Sequence, residues 1–179
     1  MSEQALAMEG DGAARVDQGK RRRPVAGWKA LLLMGGATAL GLWLPSHLNV
    51  TVTPSLGKRV FFMTGKPQQG EVKTGDYVIF HETHPWTGAA PTRMTKHVVC
   101  QPGDRLSVTA SRDYYCNEVY LGRSLTEDSA GTALPHFTFD GTIPPDHYFL
   151  SGGHPRSYDS RYYGLVTYDR FEQKAFPLF

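Results

Sequence analysis

A mainly β fold, a small antiparallel barrel or sandwich behind one N-terminal membrane-spanning helix, is what this sequence predicts. Three observations lead to it. One apolar stretch of about twenty residues follows a basic cluster near the N-terminus. Beyond Pro45 the chain breaks into short β-branched and aromatic runs punctuated by Gly, Pro, Asn and Asp, without convincing helical periodicity. Finally, 179 residues suffice for one modest core plus appendages but are short for two.

The first element is a tail, residues 1–24, rich in Ala, Gly, Glu and Asp and ending in the basic run Lys20-Arg21-Arg22-Arg23. The second is an anchor, residues 25–45. It contains Ala30-Leu31-Leu32-Leu33-Met34 and then Leu40, Leu42, Trp43 and Leu44, with Lys29 as its only charge. Such a segment can cross a hydrocarbon core of about 30 Å. No Lys or Arg follows until Lys58, so the asymmetry of basic residues places the N-terminus in the cytoplasm and residues 46–179 outside. A cleaved signal peptide is the rival reading, with Ala37-Thr38-Ala39 as its small-x-small site; the apolar run continues past that cut to Leu44.

Charge separates the tail from the rest. Residues 1–45 hold six of the nineteen Lys+Arg and four of the seventeen Asp+Glu, leaving thirteen of each in the remainder. A formally neutral domain without a basic stripe argues against nucleic acid as a partner, since phosphate neutralisation needs clustered cations.

Within residues 46–179, strands are expected at 59–63, 77–80, 97–100, 105–108, 119–121, 147–150 and 162–168, with surface loops at 81–93 and 122–135. Short strands without intervening helices imply an antiparallel system folded on itself. Cys100 and Cys116 are the only cysteines, and outside the cytoplasm they are expected to form a disulfide worth roughly 3 kcal/mol. Two buried thiols or a catalytic cysteine are the competing readings.

The candidate chemistry is nucleophilic. Ser55 lies just past the anchor in Thr53-Pro54-Ser55-Leu56, and a serine hydroxyl needs a base before it attacks an amide. Lysine can serve where burial disfavours its ammonium form. On a strand through 95–100, alternation gives Lys96 the same face as Val98 and Cys100, where it would be desolvated. Lys58, Lys66 and Lys73 lie among turn-type residues. Thr53 could add its hydroxyl to the Ser55 backbone N–H in stabilising an oxyanion.

Four blocks between Asn49 and Val166 carry a resemblance to a known family. They are Thr53-Pro54-Ser55-Leu56, Gly75-Asp76-Tyr77-Val78-Ile79-Phe80, Lys96 through Asp104 with its Pro102-Gly103-Asp104 turn, and Ser157-Tyr158-Asp159-Ser160-Arg161-Tyr162-Tyr163-Gly164. In order and spacing the chain resembles type I signal peptidases, and within them the TraF-type peptidases of conjugative transfer. That resemblance implies a signal-peptidase β-domain with Ser55 as nucleophile, Lys96 as general base, Ser157 orienting the lysine, and Asp159 holding the site through Lys96 or Arg161. It further implies a bacterial inner-membrane enzyme with a periplasmic catalytic domain, no cofactor and no metal. Its partners would be the lipid bilayer, secretion-system subunits and an exported precursor such as a propilin, cut after small side chains and released linear or head-to-tail cyclised. The chain departs from the family in having no Pro soon after Ser55, and in having Ser151-Gly152-Gly153-His154 where an acidic residue is expected near 152.

Other readings compete. His81, His84, His97, His136, His147 and His154 are numerous, but none form a His-x-x-x-His pair with an intervening Glu. A Ser-His-Asp triad on Ser55 ranks behind lysine. A general leader peptidase, or a non-catalytic tethered β-domain of a secretion apparatus, are the functional alternatives; aromatics such as Tyr114, Tyr115, Tyr162 and Tyr163 would suit the latter's interfaces.

Overall fold

The computed structural model describes residues 27–51, 56–83 and 90–178. Helix α1, Gly27–His47, is a 21-residue apolar helix with no buried residue. At 1.5 Å per residue it is roughly 30 Å long, enough to span a bilayer. It runs past Pro45, and the Ser46 hydroxyl donates to the Trp43 carbonyl at 2.6 Å in the last turn. Contacts divide the chain after Ala39, and the folded domain begins at Leu40. At the start of that domain the His47 ring stacks on Trp43 at 4.2 Å, and both rings lie about 6 Å from Phe62.

The domain is built from two antiparallel sheets, as the sequence led us to expect. The larger comprises β1 (Leu48–Val50), β2 (Val60–Met63), β3 (Tyr77–Thr83), β4 (Pro91–Cys100), β9 (His147–Ser151), β10 (Val166–Thr167) and β11 (Phe171–Pro177), in the order β1-β2-β11-β3-β4-β9-β10. The smaller comprises β5 (Arg105–Val108), β6 (Asp113–Cys116), β7 (Val119–Arg123) and β8 (Asp140–Thr142), in the order β7-β6-β5-β8. The chain passes between sheets at Pro102-Gly103-Asp104. There Gly103 takes a positive φ of 89°, and the Asp104 carboxylate accepts from the Gln101 N–H at 2.9 Å.

Period-two alternation gives the large sheet two apolar faces. Val78, Phe80, Val98, Leu150 and Phe171 pack on one; Phe61, Met63, Ile79 and Ala175 pack on the other. A third cluster around Cys100, Leu106, Tyr114, Ile143 and Phe149 joins the end of β4 to the small sheet, and a Cys100–Cys116 disulfide crosses it.

Two expectations need correction. The strand expected at 162–168 is instead a short helix α2, Ser160–Tyr163, followed by the two-residue β10 and a 3-10 turn at Tyr168–Arg170. Asp159 decides this locally: its side chain accepts from the Arg161 N–H and caps the helix, while Gly164 at φ 86° ends it. The loop expected at 81–93 is shorter, because β3 and β4 continue as a paired arm through Thr83↔Pro91. Polar residues tolerate a strand there since much of that arm faces solvent. Strands β1, β6, β8 and β11 were not foreseen. β1 and β8 are only three residues long, and polar residues interrupt the apolar pattern of β11.

Candidate active site

Lys96 lies on β4 opposite Val78 of β3, so the pleat turns it toward the Val78, Phe80 and Val98 face. It is 6% exposed. Its Nζ donates to Ser157 Oγ at 2.8 Å. Among the described residues no carboxylate lies within ion-pair distance of the amine. Burial strips water from the ammonium and lowers the Lys96 pKa from 10.5 to about 8; the Asp159 charge opposes the shift and the Arg161 charge assists it.

Ser157 sits in the turn between β9 and α2, where its N–H donates to the His154 carbonyl at 2.9 Å. Asp159 is fully buried and forks onto Arg161, with Nε–Oδ1 at 2.7 Å and Nη2–Oδ2 at 2.8 Å. The same carboxylate accepts from the Gly152 N–H at 3.0 Å and the Arg161 N–H at 3.2 Å. Arg161, 3% exposed, donates further to the carbonyls of Arg123, His154 and Ser157. Nearby, Ser160 Oγ accepts from the Leu150 N–H at 2.9 Å and ties α2 to β9. A buried carboxylate and guanidinium are thus paired and almost fully hydrogen-bonded.

The structure therefore brings together Lys96, Ser157, Asp159 and Arg161, and of the two cations Asp159 forms its ion pair with Arg161. Thr53 and Ser55 lie outside the described residues, as does His84. His81 pairs with Glu172 at 2.5 Å, His147 contacts the Pro145 carbonyl, and the His97 ring lies tilted against Tyr77 at 5.4 Å. The sulfurs of Cys100 and Cys116 lie close to Asp104, but they are bridged to each other and offer no thiolate to a metal.

Gly152 is the residue that sequence reasoning missed. A Cβ there would fall 1.9 Å from Ser157 Oγ and 3.2 Å from Lys96 Nζ. The glycine, which the sequence showed only as a departure from the family pattern, vacates the space that the lysine and serine share. The sequence offered no signal for it, because the neighbours it makes room for, Ser157 in the turn before α2 and Lys96 on β4, are brought together only by the fold.

Such an arrangement can hold a lysine neutral and accept a proton from a nearby hydroxyl. Comparison with known proteins bears on the family to which the chain belongs. Residues 29–179 match the family "Signal peptidase, peptidase S26". The conjugal transfer protein TraF of Agrobacterium fabrum is 28% identical over 163 residues, covering 83% of this chain and 90% of the relative. The crystal structure of a signal peptidase I from Enterococcus faecalis V583 is 26% identical and covers 60% of this chain and 94% of that one, with a TM-score of 0.34.

Proposed function

The chain belongs to the peptidase S26 family of signal peptidases, and from that premise we propose that it is a single-pass membrane serine endopeptidase that matures an exported precursor of a conjugation apparatus. Ser55 is the nucleophile and Lys96 the general base. The tail, residues 1–24, lies in the cytoplasm, α1 crosses the inner membrane, and residues 46–179 work in the periplasm. The observation that carries the chemistry is the buried Lys96 amine, hydrogen-bonded to Ser157 and held near a pKa of about 8 by burial. The likeness to a conjugal transfer protein supports the substrate class, and the one apolar helix supports the anchor.

In this reading neutral Lys96 takes the Ser55 proton as Oγ attacks the scissile carbonyl, with Thr53 and the Ser55 N–H facing the oxyanion. The intermediate collapses with Lys96 returning the proton to the leaving amine, and Ser55 keeps the acyl group as an ester. Water resolves the ester to a linear product. The N-terminal amine of the same substrate would instead form an amide as the ester C–O bond breaks, giving a ring one water lighter. Ser157 fixes the amine, and Asp159 fixes Ser157 through Arg161.

The test is the intact mass of a propilin co-expressed in membranes with the wild type, Ser55→Ala or Lys96→Ala. Trimming by the wild type alone is expected, and the mass separates linear from cyclic product. Equal trimming by all three would refute the assignment of Ser55 and Lys96.

A further inference from the structure

We infer that β6 is a positioning strand for the base, in which Cys116 holds the strand that carries Lys96 while the Tyr114 hydroxyl holds the segment that carries Ser157. The inference rests on the reading of Lys96 as the base. It makes Tyr114 a positioning residue for the reaction.

The geometry begins with alternation. Tyr114 and Cys116 are both buried on β6, while Asp113 before them and Tyr115 between them are half-buried on the other face. Cys116 is bonded to Cys100, at a Cα separation of 5.8 Å. Cys100 is four residues beyond Lys96 on β4, roughly 13 Å along the strand and past an irregularity in the pairing with β9 between Val98 and Cys100, so this grip is a covalent one on the strand that carries the amine. Tyr114 is fully buried, and its hydroxyl lies 2.7 Å from the Arg161 carbonyl and 2.6 Å from the Phe137 carbonyl, with one proton shared between them. Burial pushes the phenol pKa up, so it stays a donor where the enzyme works.

From Arg161 the connection runs directly to the site. Its guanidinium holds the Ser157 and His154 carbonyls, and Ser157 Oγ holds the Lys96 amine. The small sheet grips this arginine a second time through the Arg123 carbonyl of β7, at 2.8 Å. Gly122, at φ 127°, leaves room for that approach; a Cβ would meet Arg161 Nη1 at 3.2 Å. Lys96 and Ser157 come from segments 61 residues apart, and a shared strand that clamps both fixes their separation.

The experiment compares Tyr114→Phe with the wild type in the full-length protein in detergent micelles. Tyr115→Phe, which removes a hydroxyl from the outward face of the same strand, is the control. Two quantities are read: kcat and KM for precursor cleavage, and the titration midpoint of the Lys96 side chain by 13C NMR, assigned from the signal missing in Lys96→Met. Tyr114→Phe should lower kcat about tenfold with KM unchanged and move the midpoint by about half a unit or more. Tyr115→Phe should change neither. A wild-type kcat and midpoint in Tyr114→Phe, even with reduced thermal stability, would overturn the inference, as would equal effects in Tyr115→Phe. If Tyr114→Phe does not fold, the Cys100→Ala, Cys116→Ala double variant reads the other grip, and an unmoved Lys96 midpoint there is equally fatal. A moved midpoint beside undiminished cleavage by Ser55→Ala would leave the strand's role standing and remove the assignment of Ser55 as nucleophile instead.

Discussion

Arg161 and Lys96 both bond to Ser157, the first through its carbonyl and the second through its hydroxyl, yet their surroundings differ. Around Arg161 stand a two-pronged carboxylate and three carbonyls, so the buried charge is neutralised and its donors are satisfied. Around Lys96 there is a hydroxyl and apolar β-sheet. The first arrangement keeps a cation charged and the segment rigid. The second makes the charged form costly, which is what a base needs. Compensation therefore separates the cation that builds the site from the cation that would react.

Lys96→Met tests the contrast most severely. Cleavage should fall to background, while stability at pH 7 should hold or rise. The shift from 10.5 to about 8 corresponds to roughly 3 kcal/mol of unfavourable burial of the ammonium, which methionine does not incur. Precursor cleavage and urea unfolding measured on one preparation check both halves. Loss of stability in this variant would break the comparison.

Asp159→Asn should do the reverse, since it leaves the Arg161 guanidinium buried without its counter-charge. A loss of about 3–5 kcal/mol is expected from the urea midpoint, with cleavage falling in proportion to the folded fraction and further as Ser157 loosens. An Asp159→Asn protein as stable as the wild type would show that the pair contributes nothing to the segment's rigidity.

Gly152→Ala attacks the space between the two regions. Its Cβ would overlap Ser157 Oγ, so the serine must leave the amine. Loss of about 100-fold in kcat is expected, by misplacement rather than by removal of any reacting group. Unchanged kinetics in a folded Gly152→Ala protein would show that the Ser157 bond to Lys96 is dispensable.

The pH profile gives the smallest and most specific effect. With Lys96 as base, kcat/KM should rise about tenfold per pH unit and level off above about 8. Stability should respond in the same direction over a neighbouring window. The unfolded chain keeps the Lys96 proton up to about 10.5 and the folded chain releases it near 8, so the unfolded state binds more protons between these values and stability rises with pH there. Lys96→Met should flatten that rise in urea titrations.

Much of the framework was legible because it rests on local pattern. The apolar run of α1, the alternation that turns Lys96 inward with Val98 and Cys100, and the turn signal at Pro102-Gly103-Asp104 each need only a few neighbouring residues to be read. The four motifs could be picked out from their order. The error at 162–168 had a local cause as well: Asp159 and Gly164 were visible as cap residues, but the aromatic run between them read as a strand. β11 was hidden because its alternation is interrupted by Glu172, Gln173 and Lys174, which an apolar pattern search passes over.

By itself, the sequence determined the segment long enough to span a membrane, the β-rich class of the domain beyond it, and the facing of Lys96, since these depend on composition and on the two-residue period of a strand. Only the tertiary structure decided that Asp159 pairs with Arg161, that Gly152 must lack a side chain, and that Tyr114 and Cys116 of the second sheet bond to the Arg161 carbonyl and to Cys100. Each of these is set by the packing of segments against one another, and a lysine gives up its proton more readily where such packing excludes water and keeps carboxylates out of ion-pair distance.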